Sequence, residues 1–183
     1  MPFLLIKNLP RYDCLLDAAK LFPDLDPSAC EVFLHLMQAG DEAFRVVDAH
    51  LAEHNISQGR FMVLMQLLNK KTNCAESRTP AELADLSRVT RATMTGLIDT
   101  LERDGLVKRE PDPDDRRMMS VTLTEKARTL MQQILPAHFQ RMAALMKPLT
   151  ELERKTLVDL LAKIRQQATG MIVPVSSASE AAH

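Results

Sequence analysis

Residues 79 to 124 read TPAELADLSRVTRATMTGLIDTLERDGLVKREPDPDDRRMMSVTLT, and the order of residue types in this stretch decides the fold. Its first four residues form a capping box, in which the Thr79 hydroxyl accepts from an amide three residues on and Glu82 reaches back. We therefore expect a helix to begin at this point. Leu83 and Leu86 should supply its apolar side.

A second helix is predicted after a short connection. It should open at Thr90 or a neighbour and end at Gly105, a residue type that favours helix C-termini. Its apolar residues fall at i, i+3, i+4 and i+7, which predicts one buried stripe of Met94, Leu97, Ile98 and Leu101. The opposite face carries Thr90, Arg91, Thr95, Asp99 and Arg103. Short hydroxyls and an arginine near a helix start suit a DNA major groove, and an ordinary solvated face is the alternative.

A charged hairpin completes the stretch. Residues 106–110 and 118–123 are strand-like, and in the second run Val121 and Leu123 alternate with polar residues. The connecting turn, residues 111–117, is rich in proline, aspartate and arginine. Adjacent arginines at its tip could enter a narrow minor groove, whose negative potential attracts them; a solvated loop of paired charges is the alternative. Helix, turn, helix and hairpin together predict a winged helix, in a mainly α fold with a small β-hairpin wing.

The same residues resemble the multiple antibiotic resistance regulator (MarR) family. The resemblance is carried by Leu83-Ala84, Leu97-Ile98-Asp99-x-Leu101-Glu102-x-x-Gly105-Leu106-Val107-x-Arg109, Asp114-x-Arg116 and Val121-x-Leu123-Thr124. It implies a homodimeric transcription factor, usually a repressor, whose affinity for a pseudo-palindromic double-stranded operator changes when a small molecule or oxidant acts on it.

The resemblance also assigns roles to individual residues. It implies that Thr90, Arg91 and Thr95 face the major groove, that Arg116 enters the minor groove and that Asp114 orders the wing. The expected DNA-binding set is Arg88, Thr90, Arg91, Thr95, Asp114, Arg116 and Arg117. The chain has Gly96 where many members carry a basic or polar residue, so operator preference cannot be transferred from relatives.

The flanking segments are predicted to serve dimerisation. We divide the chain into an N-terminal extension (1–25) with a possible extra helix over residues 11–22, a dimerisation helix (26–56), the winged helix (57–128), C-terminal dimerisation helices (129–170) and a flexible tail (171–183). Asp26, Ser57 and Thr124 are expected helix caps, and Thr150 to Glu153 form a second capping box. Pro136 should kink its helix. The terminal helices have apolar stripes to bury, and a two-fold partner would bury them.

Net charge is unusual for a DNA-binding protein. The chain of 183 residues has 23 basic and 24 acidic side chains, a formal net charge of −1. Residues 57 to 128 hold 13 basic and 11 acidic side chains, so affinity must depend on where the charges lie. Three separated cysteines, no signal peptide and no membrane-length apolar run predict a soluble cytoplasmic protein with reduced thiols and no membrane partner.

Three patterns could reveal a sensed signal. In the family an organic ligand lies between the dimer helices and the winged helix, which here implies a pocket of Arg45, Phe61, Met62 and Met65 for an aromatic acid or its thioester; packing in the core is the alternative. His50 and His54 have a zinc-compatible spacing, but without companions of convincing spacing we predict no metal and no cofactor. Cys14 resembles a peroxide-sensing cysteine, although a packed thiol is favoured.

Enzymatic activity is not predicted. The sequence contains no phosphate-binding glycine loop, nucleophile elbow or metal-binding motif. Two alternatives to a ligand-responsive repressor stay open: a winged-helix scaffold that binds proteins without specific DNA binding, and a cysteine-based redox-sensing regulator.

Overall fold

A computed structural model of the chain describes residues 8–68, 77–111 and 118–171. The chain divides into two compact units, Met1–Arg141 and Met142–His183. The elements are α1 (Tyr12–Leu21), α2 (Pro27–Ala52), α3 (Gln58–Leu67), α4 (Pro80–Ser87), α5 (Arg91–Arg103), β1 (Val107–Pro111), β2 (Met119–Leu123), α6 (Glu125–Leu145) and α7 (Glu151–Met171). Among the described helices, none is both long and apolar enough to cross a membrane.

Side-chain caps start the helices where the sequence predicted. The Asp26 carboxylate accepts from the amides of Ser28 and Ala29, at 2.9 and 3.1 Å, and so opens α2. At the start of α4, the Glu82 amide donates to the Thr79 hydroxyl while the Thr79 amide donates to the Glu82 carboxylate. These bonds satisfy amide donors that lack partners within the helix. The predicted starts of these two helices are therefore confirmed.

The core of the first unit belongs mainly to the winged helix. The predicted stripe of α5 is confirmed, since Met94, Ile98 and Leu101 are fully buried and Leu97 packs against the core. Other buried side chains come from α3, α4, both strands and α6: Phe61, Val63, Leu64, Leu67, Leu83, Ala84, Val107, Val121, Leu123, Ala127, Met131 and Ile134. Burial of this apolar surface is the main force that holds the helices together.

The prediction for Leu86 was wrong. This side chain is 55% exposed, and the inward face of α4 is formed by Leu83 and Ala84 instead. On the next turn of the same face, the half-buried Ser87 hydroxyl accepts a 3.0 Å hydrogen bond from the side-chain Nε2 of Gln66 in α3. The second turn of α4 therefore contacts α3 through the polar Ser87, and not through the apolar Leu86 that was predicted to face inward.

Strands β1 and β2 form an antiparallel hairpin in which Val107 faces Leu123 and Arg109 faces Val121. A backbone bridge joins Val121 to Arg78, with N–H···O distances of 2.8 and 3.2 Å. This bridge attaches the hairpin to the segment that leads into α4. No local pattern indicated this bridge, because Arg78 lies far from β2 along the chain.

The predicted extra N-terminal helix is confirmed as α1. The expectation that Cys14 packs in the interior was wrong: Cys14 is exposed, because Leu15 takes the buried position of this short helix. Cys30 is partly exposed, and Cys74 lies outside the described residues.

The long helix α2 exposes much of its apolar surface in the single chain. Leu51 is buried, but of the other residues of the predicted stripe Leu36, Ala43 and Val47 are half-buried and Val32 is exposed. Phe33 and Phe44 are also exposed. An apolar helix face without cover in the monomer is a feature of surfaces that bind a partner.

In the second unit, α7 begins at the predicted capping box. The Thr150 amide donates to the Glu153 carboxylate at 2.7 Å. The hydrogen bonds from the backbone and the side chain of Thr150 lower the pKa of that carboxyl group. All residues of α7 are exposed, including the apolar side chains Leu157, Leu160, Leu161 and Ile164. The helix before it, α6, is capped by Thr124 and continues through Pro136. The kink at this proline stays a prediction.

Candidate nucleic-acid interface

The short helix α4 and a residue in the left-handed conformation position α5, the candidate DNA-reading helix. Arg88 ends α4 with φ of +52°, and its amide donates to the carbonyls of Ala84 and Asp85. The conformation turns the chain sharply, and α5 begins three residues later. Thr90 caps α5 by accepting from the Thr93 amide at 3.1 Å. The helix N-terminus and its free amides are thereby exposed, which favours contact with phosphate.

The hydroxyl groups at the start of α5 have different remaining capacities for hydrogen bonding. Thr90 uses its hydroxyl for the cap and for a 2.9 Å contact with the Thr93 hydroxyl. Thr95 donates its hydroxyl proton to the Arg91 carbonyl at 2.9 Å. Because that proton is engaged, Thr95 presents a methyl group and oxygen lone pairs to the outside. These suit a thymine methyl group or a base amino group.

Arg109 of β1 forms a fork with two carboxylates of α5. Its guanidinium nitrogens lie 2.5 Å from Asp99 and 2.5 Å from Glu102. The hydrogen bond to Asp99, together with the charges of both acids, raises the pKa of Arg109. Asp99, assigned by the sequence to the exposed polar face of the reading helix, is thus neutralised by the wing strand. Local sequence patterns did not indicate this pair of contacts.

Other acids of the winged helix are also paired within the domain. Asp104 forms an ion pair with Arg60 of α3, and Glu110 forms one with Lys108. The Lys108 hydrogen bond is the main cause of the lowered pKa of Glu110.

Arg88 and Arg91 are exposed and, within the described parts of the chain, have no ion-pair partner. The start of α5 is therefore positively charged although the net charge of the domain is small. A near-neutral composition is thus compatible with a DNA contact at this place.

The predicted wing residues Asp114, Arg116 and Arg117 lie outside the described residues. The structure does define the base of the wing, where Pro111 faces Met119 at the end of the hairpin.

An apolar groove lies between this hairpin base and the helices. It is lined by Thr79, Pro80, Ala81, Arg91, Thr95, Met118 and Met119. Because Arg91 and Thr95 belong to both, the groove adjoins the candidate DNA-reading surface. The sequence did not indicate it, since its walls come from three separate segments.

The four residues expected to line an organic-ligand pocket are placed differently from one another. Phe61 is buried against His138, with ring centroids 4.9 Å apart, whereas the adjacent Met62 is 45% exposed. Met65 packs against the core, and Arg45 is exposed in an ion pair with Glu42 at 3.1 Å. Phe61 and Met62 thus differ in burial, and the assignment of all four residues to one ligand pocket stays a prediction.

Gly96 lies on the exposed face of α5, and a Cβ added there would meet no atom within 4 Å. We expect Gly96→Ala to raise the free energy of unfolding by about 0.5–1 kcal/mol, because alanine loses less conformational entropy in a helix. Urea denaturation would measure the change. As a control, Gly105→Ala should destabilise, since Gly105 has φ of +71°. A Gly96→Ala protein less stable than the wild type would contradict the exposed placement.

Comparisons with known proteins place this geometry among transcriptional regulators. A model of the MarR family matches residues 56–119. The HTH-type transcriptional repressor YetL of Bacillus subtilis is 34% identical over 156 residues, which cover 85% of this chain and 92% of YetL.

Solved structures give the same indication. A mutant MarR from E. coli in complex with operator DNA is 26% identical, with a TM-score of 0.63 and coverage of 80% of this chain and 96% of that one. BpsR of Bordetella bronchiseptica, whose regulation of DNA binding by 6-hydroxynicotinic acid has been studied structurally, is 25% identical, with a TM-score of 0.62 and coverage of 73% and 92%.

Proposed function

The chain belongs to the MarR family of DNA-binding transcriptional regulators, which are not enzymes, and from this premise we propose that it is a homodimeric repressor released from its operator by a small molecule. The name of its relative YetL, a transcriptional repressor, supports the sign of regulation. In this proposal residues 57–128 read DNA, while residues 26–56 and 129–170 form the dimer.

The observation that carries the proposal is the exposed start of α5. Arg88, just before this helix, and Arg91, its first residue, keep free guanidinium groups, while Asp99 and Glu102 in the C-terminal half of α5 are held by Arg109. Thr95 supplies a methyl group and lone pairs on the same helix. We assign phosphate or base contacts to Arg88, Arg91 and Thr95, the capping of the helix to Thr90, and the minor-groove contact to Arg116, with Asp114 and Arg117 in the same wing.

The uncovered apolar faces support the dimer. Phe33 and Phe44 of α2 are exposed, and α7 exposes a set of leucines. A two-fold axis would bury the same faces of both chains and present two α5 helices to successive major grooves. The operator would then contain two half-sites about one helical turn apart.

For the effector, we propose an aromatic acid or its thioester. The groove beside α5 offers the apolar side chains of Met118 and Met119 together with the cationic Arg91. A carboxylate bound to Arg91 would compete directly with DNA for that side chain. The study of BpsR with 6-hydroxynicotinic acid supports this chemical class. Release of labelled operator by aromatic acids, measured against their uncharged amides, tests the assignment.

The wing contact is tested by Arg116→Ala. We expect operator affinity to fall by about tenfold at physiological salt, since each chain of the dimer loses one minor-groove cation. Fluorescence anisotropy with labelled DNA measures the affinity, and size-exclusion chromatography checks that the dimer persists.

Lys20→Ala is the matched control for the loss of one positive charge, because Lys20 lies on α1 in an exposed ion pair with Asp17. An affinity as high for Arg116→Ala as for Lys20→Ala would refute the wing assignment. A protein that shows no sequence-selective, salt-dependent DNA binding at all would instead be the scaffold module considered from the sequence.

A further inference from the structure

The C-terminal end of α2 and the turn that follows it bring together three side chains of metal-ligand type that take no part in the proposed DNA contacts. Donor atoms of His50, Glu53 and His54 all lie within 4.8 Å of one another. Glu53 is a companion that the spacing of the two histidines did not indicate. All three residues belong to the first unit of the chain.

His50 is held in an orientation that leaves one ring nitrogen without a hydrogen bond. The side chain is 1% exposed, and its Nε2 lies 3.3 Å from the Ile134 carbonyl of α6. A carbonyl can only accept, so this contact places the ring proton on Nε2 and leaves a lone pair on Nδ1. Within the described chain, Nδ1 has no hydrogen-bond partner.

The free Nδ1 atom faces a carboxylate. Glu53 Oε2 lies 3.6 Å away, which is beyond hydrogen-bond distance. In the neutral ring, a lone pair opposite a carboxylate is unfavourable unless a metal cation lies between them, and a proton on Nδ1 is the alternative. The partial negative charge of the helix C-terminus also favours a cation at this position.

Two groups of α6 lie beside the cluster. The His138 ring stacks on His50 at a centroid distance of 6.1 Å. Arg141 of α6 is the competing group, because its Nη2 lies 3.3 Å from both Glu53 oxygens.

We propose that His50 Nδ1, the Glu53 carboxylate and the His54 ring bind Zn²⁺ or a similar divalent transition-metal ion, with water as the fourth ligand. Nitrogen and carboxylate donors in tetrahedral geometry are typical of zinc. Ligand atoms around zinc lie about 3.4 Å apart. The donor atoms therefore need to move closer together by only a small distance to bind an ion. Glu53, which is 58% exposed, and His54, which is half-buried, are the side chains that would move.

The Ile134 carbonyl has the supporting role that such sites require, because it fixes the tautomer and orientation of a zinc-binding histidine. The ion would also draw Glu53 away from Arg141, and so would change one contact between α2 and α6. This site is separate from the DNA interface, and its existence does not depend on the proposed effector.

Isothermal titration of the chelator-treated, full-length protein with Zn²⁺ tests the site. We expect one ion per chain, and four-coordinate Co²⁺ in the same site should show intense visible absorption. Glu53→Gln and His54→Gln, which alter side chains outside the core, should each weaken Zn²⁺ binding by about 30-fold. His35→Gln is the matched control, since His35 is exposed on α2, away from the C-terminal end of that helix.

Arg141→Ala separates a specific site from adventitious histidine binding. Removal of the competing guanidinium should tighten Zn²⁺ binding by about threefold, the amount that an exposed ion pair contributes. The proposal would be overturned by the absence of stoichiometric binding at micromolar Zn²⁺, by binding that Glu53→Gln and His54→Gln leave unchanged, or by equal or weaker binding in Arg141→Ala. His50→Gln is not used as the deciding variant because His50 is buried.

Discussion

Replacement of Arg91 by alanine is expected to weaken operator binding by about 100-fold. Arg91 is the first residue of α5, is exposed and has no ion-pair partner in the part of the chain that the structure describes. An arginine contact to a base edge or phosphate contributes about 1–3 kcal/mol, and a dimer loses two such contacts. The slope of log affinity against log salt should fall by about 1.8 if both contacts are to phosphate, because each contributes about 0.9.

Arg103→Ala is the matched control for Arg91→Ala. Arg103 is an exposed arginine at the last position of the same helix, away from the N-terminal residues that enter a groove. Its loss should reduce affinity by no more than about threefold, the effect of a peripheral charge. Equal losses in the two variants, measured by fluorescence anisotropy at several salt concentrations, would show that α5 contributes only general positive charge.

Replacement of Arg109 by methionine is expected to lower both stability and DNA affinity. Arg109 joins β1 to α5 through two charge-assisted hydrogen bonds and has a side chain that is 26% exposed. Its loss should reduce the free energy of unfolding by about 2 kcal/mol. It would also leave Asp99 and Glu102 uncompensated near the reading surface, so operator affinity should fall by about tenfold through repulsion of phosphate.

Urea denaturation and DNA titration of the same preparation separate these two effects. Lys108→Met is the control, because Lys108 precedes Arg109 in β1 and pairs with Glu110 rather than with α5. It should change stability by less than about 1 kcal/mol. If Arg109→Met were as stable as Lys108→Met and bound DNA normally, the fork would have no part in holding the wing against the helix.

The elements of the winged helix could be predicted from the sequence because their signals are local. The Thr79–Glu82 box, the Thr90 cap and the apolar spacing of α5 each depend on residues within two helical turns. Gly105 identifies a helix end through its positive φ, which is unfavourable for other residues. Such signals do not need knowledge of the neighbours in space.

The remaining features depend on which elements pack together, and local patterns do not encode that. Arg109 meets Asp99 and Glu102 only after the hairpin folds back onto α5. The sequence shows the spacing of His50 and His54 and led us to predict no metal there, but it does not show that α6 covers His50 and supplies the Ile134 carbonyl. Leu86 and Cys14 occupy positions that helical spacing alone could not assign to the inside or the outside.

We infer that a dimer of this chain reads a specific DNA sequence through α5 and the wing. Repeated selection of bound duplexes from a random DNA pool, followed by sequencing, tests this inference. We expect enrichment of a pseudo-palindrome with half-sites about one helical turn apart, bound more weakly when Arg91 or Arg116 is replaced by alanine. A selected pool with no common sequence, or one bound equally well by both variants, would show that α5 and the wing do not read a specific sequence.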